Sequence, residues 1–331
     1  MAFSPYSMVF IFFTFSGAFL AISSTSWFIA WLGLELNLIS FLPLISSKTN
    51  LLSSEAALKY FLIQALGSAI IIFSTTLPSM TSNLPLTFLA LALLLKMGAA
   101  PLHFWFPQIM EGMNWFYSTL LMTLQKLAPM FLISYLTTNL LCWTTISLSA
   151  ASSAIIGALG GLNQSSLRKI LAFSSINHMS WMLFSMLINE TSWVIYFTLY
   201  ALITSSITML FSFLQAYYFS NLINPHCLLL PKTTSMLALF SLGGLPPFSG
   251  FLPKWIIAQE MISSSYFYTL TILLLSSLVT LYFYLRLTLS SLSLSHSQNK
   301  HTTLLKASPL KTIFLSLNLF GLLAPSALFI F

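Results

Sequence analysis

The sequence has 331 residues, of which 57% are hydrophobic and only 5% are charged, and its mean hydropathy is +0.91. Soluble globular domains carry about 25% charged residues, so this composition excludes that class and predicts an all-α polytopic membrane protein. The formal net charge of +7 comes from dispersed residues without a clustered, aromatic-laced basic patch, which argues against a nucleic-acid partner.

About eleven apolar runs along the chain are each long enough to cross a bilayer. They cover residues 6–24, 26–47, 55–78, 84–110, 115–138, 142–161, 167–188, 191–219, 234–262, 266–289 and 310–330. We therefore expect one membrane domain over 1–331. The N-terminus lacks an Arg-rich presequence, so we expect Met1 to begin the mature protein and the first run to be a retained helix.

Two of these runs, 84–110 and 234–262, are too long for one straight crossing of a ~30 Å hydrocarbon core. Both contain helix breakers: Gly98 and Pro101 in the first, and the stretch GGLPPFSGFLP in the second. We predict that both are discontinuous helices. Because they lie five helices apart, helices one to five (about 6–138) and six to ten (about 142–289) are predicted to form two inverted repeats, followed by a terminal helix at 310–330.

The basic residues outside the apolar runs predict the orientation of the chain. With about eleven crossings, all of them fall on the N-terminal side, which the positive-inside rule makes the charge-negative side. They are Lys48, Arg168, Lys169, Lys232, Arg286, Lys300, Lys306 and Lys311. Cys142 and Cys227 would then lie on opposite faces, beyond the ~7 Å Cα limit of a disulfide, and two cysteines are too few for an iron–sulfur cluster.

Charged residues inside the apolar runs are the candidate functional groups. A charge at the centre of a membrane helix costs about 2.5–3.5 kcal/mol, so such a residue needs a partner or a role. Lys96 lies beside the predicted break, and Glu35 lies near the middle of its helix. We expect the two to pair, either as part of a proton path or as a purely structural ion pair.

Two further lysines also lie beside helix breakers. Lys126 is central in the fifth run, and Pro129 removes the helical partner of the Gln125 carbonyl. Lys254 follows Pro253 in the second interrupted run, where the alternative is a lysine that extends to the membrane surface. Three lysines that each accompany a helix breaker predict a shared role at polar or hydrated positions.

Three residues are possible additional relays for protons. Lys59 follows Glu55 by four residues, a spacing that equally favours a local ion pair. His103 and His178 lie in or near apolar helices, where histidine can exchange protons near neutral pH. The alternative for each histidine is a satisfied buried contact.

Six stretches closely resemble, in order, the subunit 2 family of animal mitochondrial NADH dehydrogenase, one of the antiporter-like membrane subunits of respiratory complex I. The resemblance covers about residues 27–260 and implies eleven helices, three fewer than in most relatives. The stretches are WLGLELNLISFLPL, EAALKYFLIQALGS, LKMGAAPLHFWFP, LQKLAP, GGLNQSSLRKILAFSSINHMSWM and LFSLGGLPPFSGFLPKW.

The resemblance implies a role for each of four residues. Glu35 matches the carboxylate of a Glu–Lys pair, Lys96 its partner, Lys126 the central lysine and Lys254 the terminal one. It further implies a proton-translocating subunit of NADH:ubiquinone reductase in the inner mitochondrial membrane, with its N-terminus in the matrix and its C-terminus in the intermembrane space. NADH, FMN, iron–sulfur clusters and ubiquinone would be held elsewhere in the complex.

The implied partners are other membrane-arm subunits (subunits 4L and 4 on either side), accessory subunits, and membrane lipid including cardiolipin. In the mechanism we expect, movement of Glu35 toward a neighbouring subunit releases the proton of Lys96 through water to Lys126 and then Lys254. A passive scaffold and a stand-alone secondary ion antiporter remain alternatives. Quinone chemistry in this chain is disfavoured, because the sequence offers no ligand set for a redox centre.

Overall fold

The structure is a computed structural model that describes residues 5–46, 50–77, 84–223 and 229–293. Its described residues form helices and turns, with one isolated antiparallel bridge between Ser166 and Tyr218. The helices are α1 (Pro5–Ser23), α2 (Trp27–Ile45), α3 (Leu51–Thr76), α4 (Leu84–Met97), α5 (Trp105–Gly112), α6 (Trp115–Met122), α7 (Leu124–Ser134), α8 (Leu140–Gly160), α9 (Leu167–Ile188), α10 (Glu190–Leu214), α11 (Phe219–Ile223), α12 (Leu229–Gly243), α13 (Phe251–Ser263) and α14 (Phe267–Ser293).

The all-helical architecture agrees with the prediction, and each of the first ten predicted runs has a helical counterpart. Within the described ranges, eight helices are long and apolar enough to cross a membrane, with α6 and α7 taken together as one. The fourth and ninth predicted runs are divided into shorter helices, α4 with α5 and α12 with α13. The count of eleven crossings stays a prediction.

Several predicted features lie outside the described residues. They are the terminal run 310–330 and the residues Lys48, Cys227, Lys300, Lys306 and Lys311. The predicted orientation therefore also stays a prediction. Cys142 is described, and it is a buried free thiol on α8.

The predicted fifth helix is interrupted as well, which the sequence did not predict. Thr123 separates α6 from α7 with φ −111 and ψ −78. Its hydroxyl donates to the carbonyl of Thr119 at 2.7 Å. The backbone N–H of Lys126 bonds to the carbonyl of Thr123 at 3.1 Å, one residue short of α-helical spacing. The prediction of two interrupted helices was incomplete, since the described chain contains three.

The chain divides into two compact units, Met1–Ser153 and Ala154–Phe331. In the first unit α1 packs along α2, α3 contacts α2, α4 and α5, and α7 contacts α1, α4 and α6. In the second unit α10 contacts α9, α12 and α13, and α14 contacts α9 and α11 to α13. The predicted domain organisation, a single domain of two inverted repeats, stays a prediction.

Burial differs strongly between helices. In α9 most side chains are buried, including the polar residues Ser174, Asn177 and His178. In α1 large apolar side chains such as Phe12 and Phe19 are exposed, as expected for a helix that faces lipid or a partner. The polar side chains of α9 named above are thus turned toward protein.

Candidate functional site

Helix α4 ends at Met97, one residue after Lys96, and a left-handed residue follows it. Gly98 has φ +73, and its N–H donates to the carbonyl of Leu95 at 3.1 Å. The N–H of Ala99 donates to the carbonyl of Leu94 at 3.1 Å. These two bonds form a Schellman motif, which requires a left-handed residue that glycine adopts without strain. The predicted break is present, and it leaves Lys96 in the last turn of α4.

Helix α12 ends in the same way. Gly244 has φ +78, its N–H bonds to the carbonyl of Ser241 at 3.1 Å, and the N–H of Leu245 bonds to the carbonyl of Phe240 at 3.4 Å. In each of the two predicted interrupted helices, the first half therefore ends in a Schellman motif that uses a glycine.

Lys96 is buried within the first unit, with 5% of its surface exposed. Its aliphatic stem packs on Gly67 of α3, where an added Cβ would lie 3.1 Å from the Lys96 Cγ. Glu35 is half-buried on α2. The described side chains form no direct ion pair between Glu35 and Lys96. The predicted pairing of the two residues therefore stays a prediction.

Side chains from neighbouring segments satisfy carbonyl groups around this break. The indole Nε1 of Trp105 donates to the carbonyl of Leu95 at 3.1 Å, and the hydroxyl of Ser152 donates to that of Ala100 at 3.0 Å. Gln64 Nε2 donates to the carbonyl of Lys96 itself at 3.2 Å. The irregular backbone is thus held by polar contacts, as non-helical backbone in a membrane protein requires.

Lys126 lies in the first turn of α7, three residues after the interruption at Thr123. It is 2% exposed, and its Nζ lies 4.6 Å from the centroid of the Phe106 ring on α5. This distance is typical of a cation–π interaction. The contact brings Lys126 against the second half of the first interrupted helix.

Lys254 lies on α13 and turns back onto the end of α12. Its Nζ donates to the carbonyl of Gly243 at 2.9 Å, and its stem lies against Gly244. Carbonyl groups at a helix C-terminus carry partial negative charge, which favours an ammonium there. The ammonium therefore lies on the carbonyl end of α12, at the break.

The two possible relays in the first unit differ in burial. His103 is buried in the turn between α4 and α5, with Nδ1 3.3 Å from the carbonyl oxygen of Pro101. Lys59 is exposed on α3, and the described structure shows no ion pair between it and the equally exposed Glu55. Only His103 is thus brought to a helix break.

His178 on α9 lies beside the second break. Its Nδ1 is 2.8 Å from the hydroxyl of Tyr196 on α10, and its ring lies 5.1 Å from that of Tyr200. A cavity of about 10 Å³ adjoins it, close to the space of one water. The cavity is lined by His178, Tyr196, Tyr200, Ser241, Gly250 and Pro253, among others.

Three polar residues in the first unit, two buried and one half-buried, were not singled out from the sequence. Tyr60 donates from its hydroxyl to Oε1 of Gln125 at 3.1 Å, and Nε2 of Gln125 donates to Oδ1 of Asn37 at 2.7 Å. The three residues lie on α3, α7 and α2. A signal was present, because Asn37 and Gln125 are amides inside apolar runs, next to Glu35 and Lys126.

The described residues contain no group of three or more His, Cys, Asp or Glu side chains that could hold a metal ion. The titratable groups at the breaks are instead lysines and histidines. Such groups can bind and release protons. They can also bind anions or interact with the partial negative charge of carbonyl groups at a helix C-terminus.

A family model described as NADH:quinone oxidoreductase/Mrp antiporter, transmembrane, matches residues 24–81 and 71–280. NADH-ubiquinone oxidoreductase chain 2 of Anopheles gambiae is 43% identical over 97% of this chain and 97% of its own length. The protein of the same name from Gallus gallus is 39% identical over 87% of this chain and 86% of its own length.

Solved structures share the fold. A chain of respiratory complex I from Thermus thermophilus covers 98% of this chain with a TM-score of 0.83 and 23% identity, over 80% of its own length. A chain of the Mrp complex from Dietzia sp. covers 88% with a TM-score of 0.75 and 16% identity, over 61% of its own length.

Proposed function

The chain belongs to the NADH:quinone oxidoreductase/Mrp antiporter transmembrane family, and we propose that it is a proton-translocating core subunit of respiratory complex I. Relatives named NADH-ubiquinone oxidoreductase chain 2 that align over nearly its full length support membership in that enzyme. In this proposal the chain lies in the inner mitochondrial membrane beside other membrane-arm subunits. Electron transfer takes place elsewhere in the complex and drives proton movement here.

One observation carries the proton-transfer role. Each of the three helix interruptions in the described chain has a lysine at it: Lys96 before Gly98, Lys126 after Thr123, and Lys254 on the carbonyl of Gly243. Irregular backbone inside a membrane is tolerated where it lines a polar or hydrated space. Burying an ionisable side chain in a membrane costs free energy, so such a residue usually marks a functional position. This pairing of cation and break supports a path for protons.

The proposed cycle begins at Glu35. A carboxylate near a buried ammonium favours the protonated lysine, and in this proposal Glu35 offsets part of the cost of burying a charged Lys96. When Glu35 is drawn toward a neighbouring subunit, Lys96 releases its proton through water to Lys126. Lys254 then receives the proton and passes it to the far side, with His103 and His178 as additional relays.

We expect Lys96→Met and Glu35→Gln to lower proton pumping per electron transferred in the assembled complex. Lys96→Met removes the first proton carrier, while Glu35→Gln keeps the side-chain shape and removes the charge that acts on Lys96. A positioned proton-transfer group contributes about 10²–10⁴-fold, so coupled turnover should fall at least about tenfold where pumping and electron transfer stay linked. The measurement is quinone reduction together with proton uptake in proteoliposomes. Normal pumping per electron in both variants would refute the proposal.

Tyr196→Phe is expected to reduce coupled turnover by roughly two- to tenfold, because it removes the hydroxyl within 2.8 Å of His178 Nδ1. Without this partner the imidazole loses its fixed orientation beside the cavity. Tyr268→Phe is the matched control, since Tyr268 is 90% exposed in the same unit. Equal activity of the two variants would show that the Tyr196–His178 contact takes no part in proton transfer.

The fold shared with the Mrp complex chain favours one second candidate, a secondary ion antiporter. This alternative predicts that the purified chain transports ions without partner subunits or electron transfer. Absence of transport by the isolated chain, together with pumping by the complex, would favour the driven subunit.

A further inference from the structure

A hydrogen-bonded chain of three side chains, two buried and one half-buried, joins the helix of Glu35 to the helix of Lys126. Asn37 and Tyr60 are each 2% exposed, and Gln125 lies between them. Gln125 Nε2 donates to Asn37 Oδ1 at 2.7 Å, and the Tyr60 hydroxyl donates to Gln125 Oε1 at 3.1 Å. Both polar atoms of the Gln125 amide are therefore in use, which fixes its orientation.

The two ends of this chain adjoin the groups of the proposed proton path. Asn37 follows Glu35 by two residues on α2, and Gln125 immediately precedes Lys126 on α7. Amide side chains have no proton to exchange near neutral pH, so Asn37 and Gln125 serve to position rather than to carry protons.

The turn that holds Lys126 is weakly held by its own helix. It starts directly after the interruption at Thr123, and the Lys126 N–H makes a tightened bond to the Thr123 carbonyl. Pro129 has no N–H, so the Gln125 carbonyl lacks its usual helical donor. Side-chain bonds to Gln125 therefore contribute much of what fixes this turn.

At the Tyr60 end of the hydrogen-bonded chain, the tyrosine ring packs against two other aromatic rings. It packs against Phe41 of α2 at 5.4 Å and against Trp105 of α5 at 6.2 Å between ring centroids. Trp105 in turn holds the carbonyl of Leu95 beside Lys96. Tyr60 thus contacts both the helix that carries Glu35 and the segment that follows the first break.

We propose that the Asn37–Gln125–Tyr60 chain is a positioning link that transmits displacement of α2 at Glu35 to the first turn of α7 and so to Lys126. This inference rests on the proposed proton-transfer function and adds the element that couples its first two steps. The link would allow movement at Glu35 to reach Lys126 through hydrogen bonds.

The test compares Asn37→Leu and Tyr60→Phe with the matched controls Asn114→Leu and Tyr135→Phe in the assembled complex. Asn114 is exposed and makes no side-chain capping bond, and Tyr135 is 59% exposed. Loss of one link bond is expected to lower coupled turnover roughly two- to tenfold and to displace its pH profile. The controls should match the wild type in both respects. Loss of stability alone would change the amount of complex and leave the pH profile per complex unchanged.

A double-mutant cycle identifies the shared bond. Since Asn37→Leu and Gln125→Leu remove the same contact, the double variant should be no more impaired than Gln125→Leu alone. Additive effects would overturn the link.

If Lys126→Met impairs pumping while Asn37→Leu and Tyr60→Phe do not, the link is wrong and the proposed function stands. If Lys126→Met also has no effect, both fail. Loss of assembly in both link variants would assign a purely structural role and overturn the inference.

Discussion

Replacing Lys126 by methionine is expected to give an assembled complex in which fewer protons are pumped per electron transferred. Methionine keeps a long flexible stem in the buried site, where Lys126 is 2% exposed, but has no proton to exchange. Proton delivery through this chain should fall at least about tenfold, given the usual contribution of a positioned proton-transfer group. The measurement is proton uptake against NADH oxidation in proteoliposomes.

Lys169→Met is the matched control for this variant. Lys169 lies in the first turn of α9 and is not one of the lysines at an interruption, so the same chemical change there should leave pumping per electron unchanged. Equal pumping by Lys126→Met and the wild type would show that Lys126 carries no proton. Loss of pumping in both variants would show that any lost lysine disturbs the complex.

Gly250→Ala is expected to be the most damaging small substitution in the second unit. A Cβ at Gly250 would overlap the carbonyl oxygen of Ser241, a backbone atom of the helix before the break. Overpacking typically lowers the free energy of unfolding by about 1–3 kcal/mol. Because the atom in the way here belongs to the backbone and cannot rotate aside, we expect a loss of about 3 kcal/mol or more. We expect little assembled complex, measured by native gel electrophoresis of mitochondrial membranes.

The matched control is Gly243→Ala, at the other side of the same break. The nearest side-chain atom to a Cβ there is the Tyr284 Cδ2 at 3.6 Å, an ordinary contact distance. Alanine also favours a helix over glycine by about 1 kcal/mol, so assembly should be unchanged or improved. Normal assembly of Gly250→Ala would contradict the close approach of the two halves of this interrupted helix.

The positions of the two long interrupted helices could be predicted because glycine and proline mark them directly. Gly98 and Gly244 each take the left-handed conformation that ends a helix, and proline residues follow both. The third interruption could not be predicted in this way. No glycine or proline lies at Thr123, and Pro129 comes six residues later inside α7.

The buried lysines could be predicted from their cost in an apolar run, but their contacts could not. Lys254 bonds to a carbonyl eleven residues before it, and Lys126 lies over an aromatic ring twenty residues before it. The Asn37–Gln125 bond joins residues 88 positions apart. Such contacts depend on how helices pack, which periodicity and spacing along one chain do not determine. The predicted pairing of Glu35 with Lys96 stays a prediction.

The most direct test of the central claim is the number of protons pumped per electron in a complex that carries Lys126→Arg. Arginine keeps the positive charge over the Phe106 ring but does not release its proton in proteins. If Lys126 transfers protons, this variant is expected to pump as poorly as Lys126→Met while the complex remains assembled. Pumping restored to the wild-type ratio by arginine would show that Lys126 supplies only a fixed charge, and would contradict proton transfer through the lysines at the helix breaks.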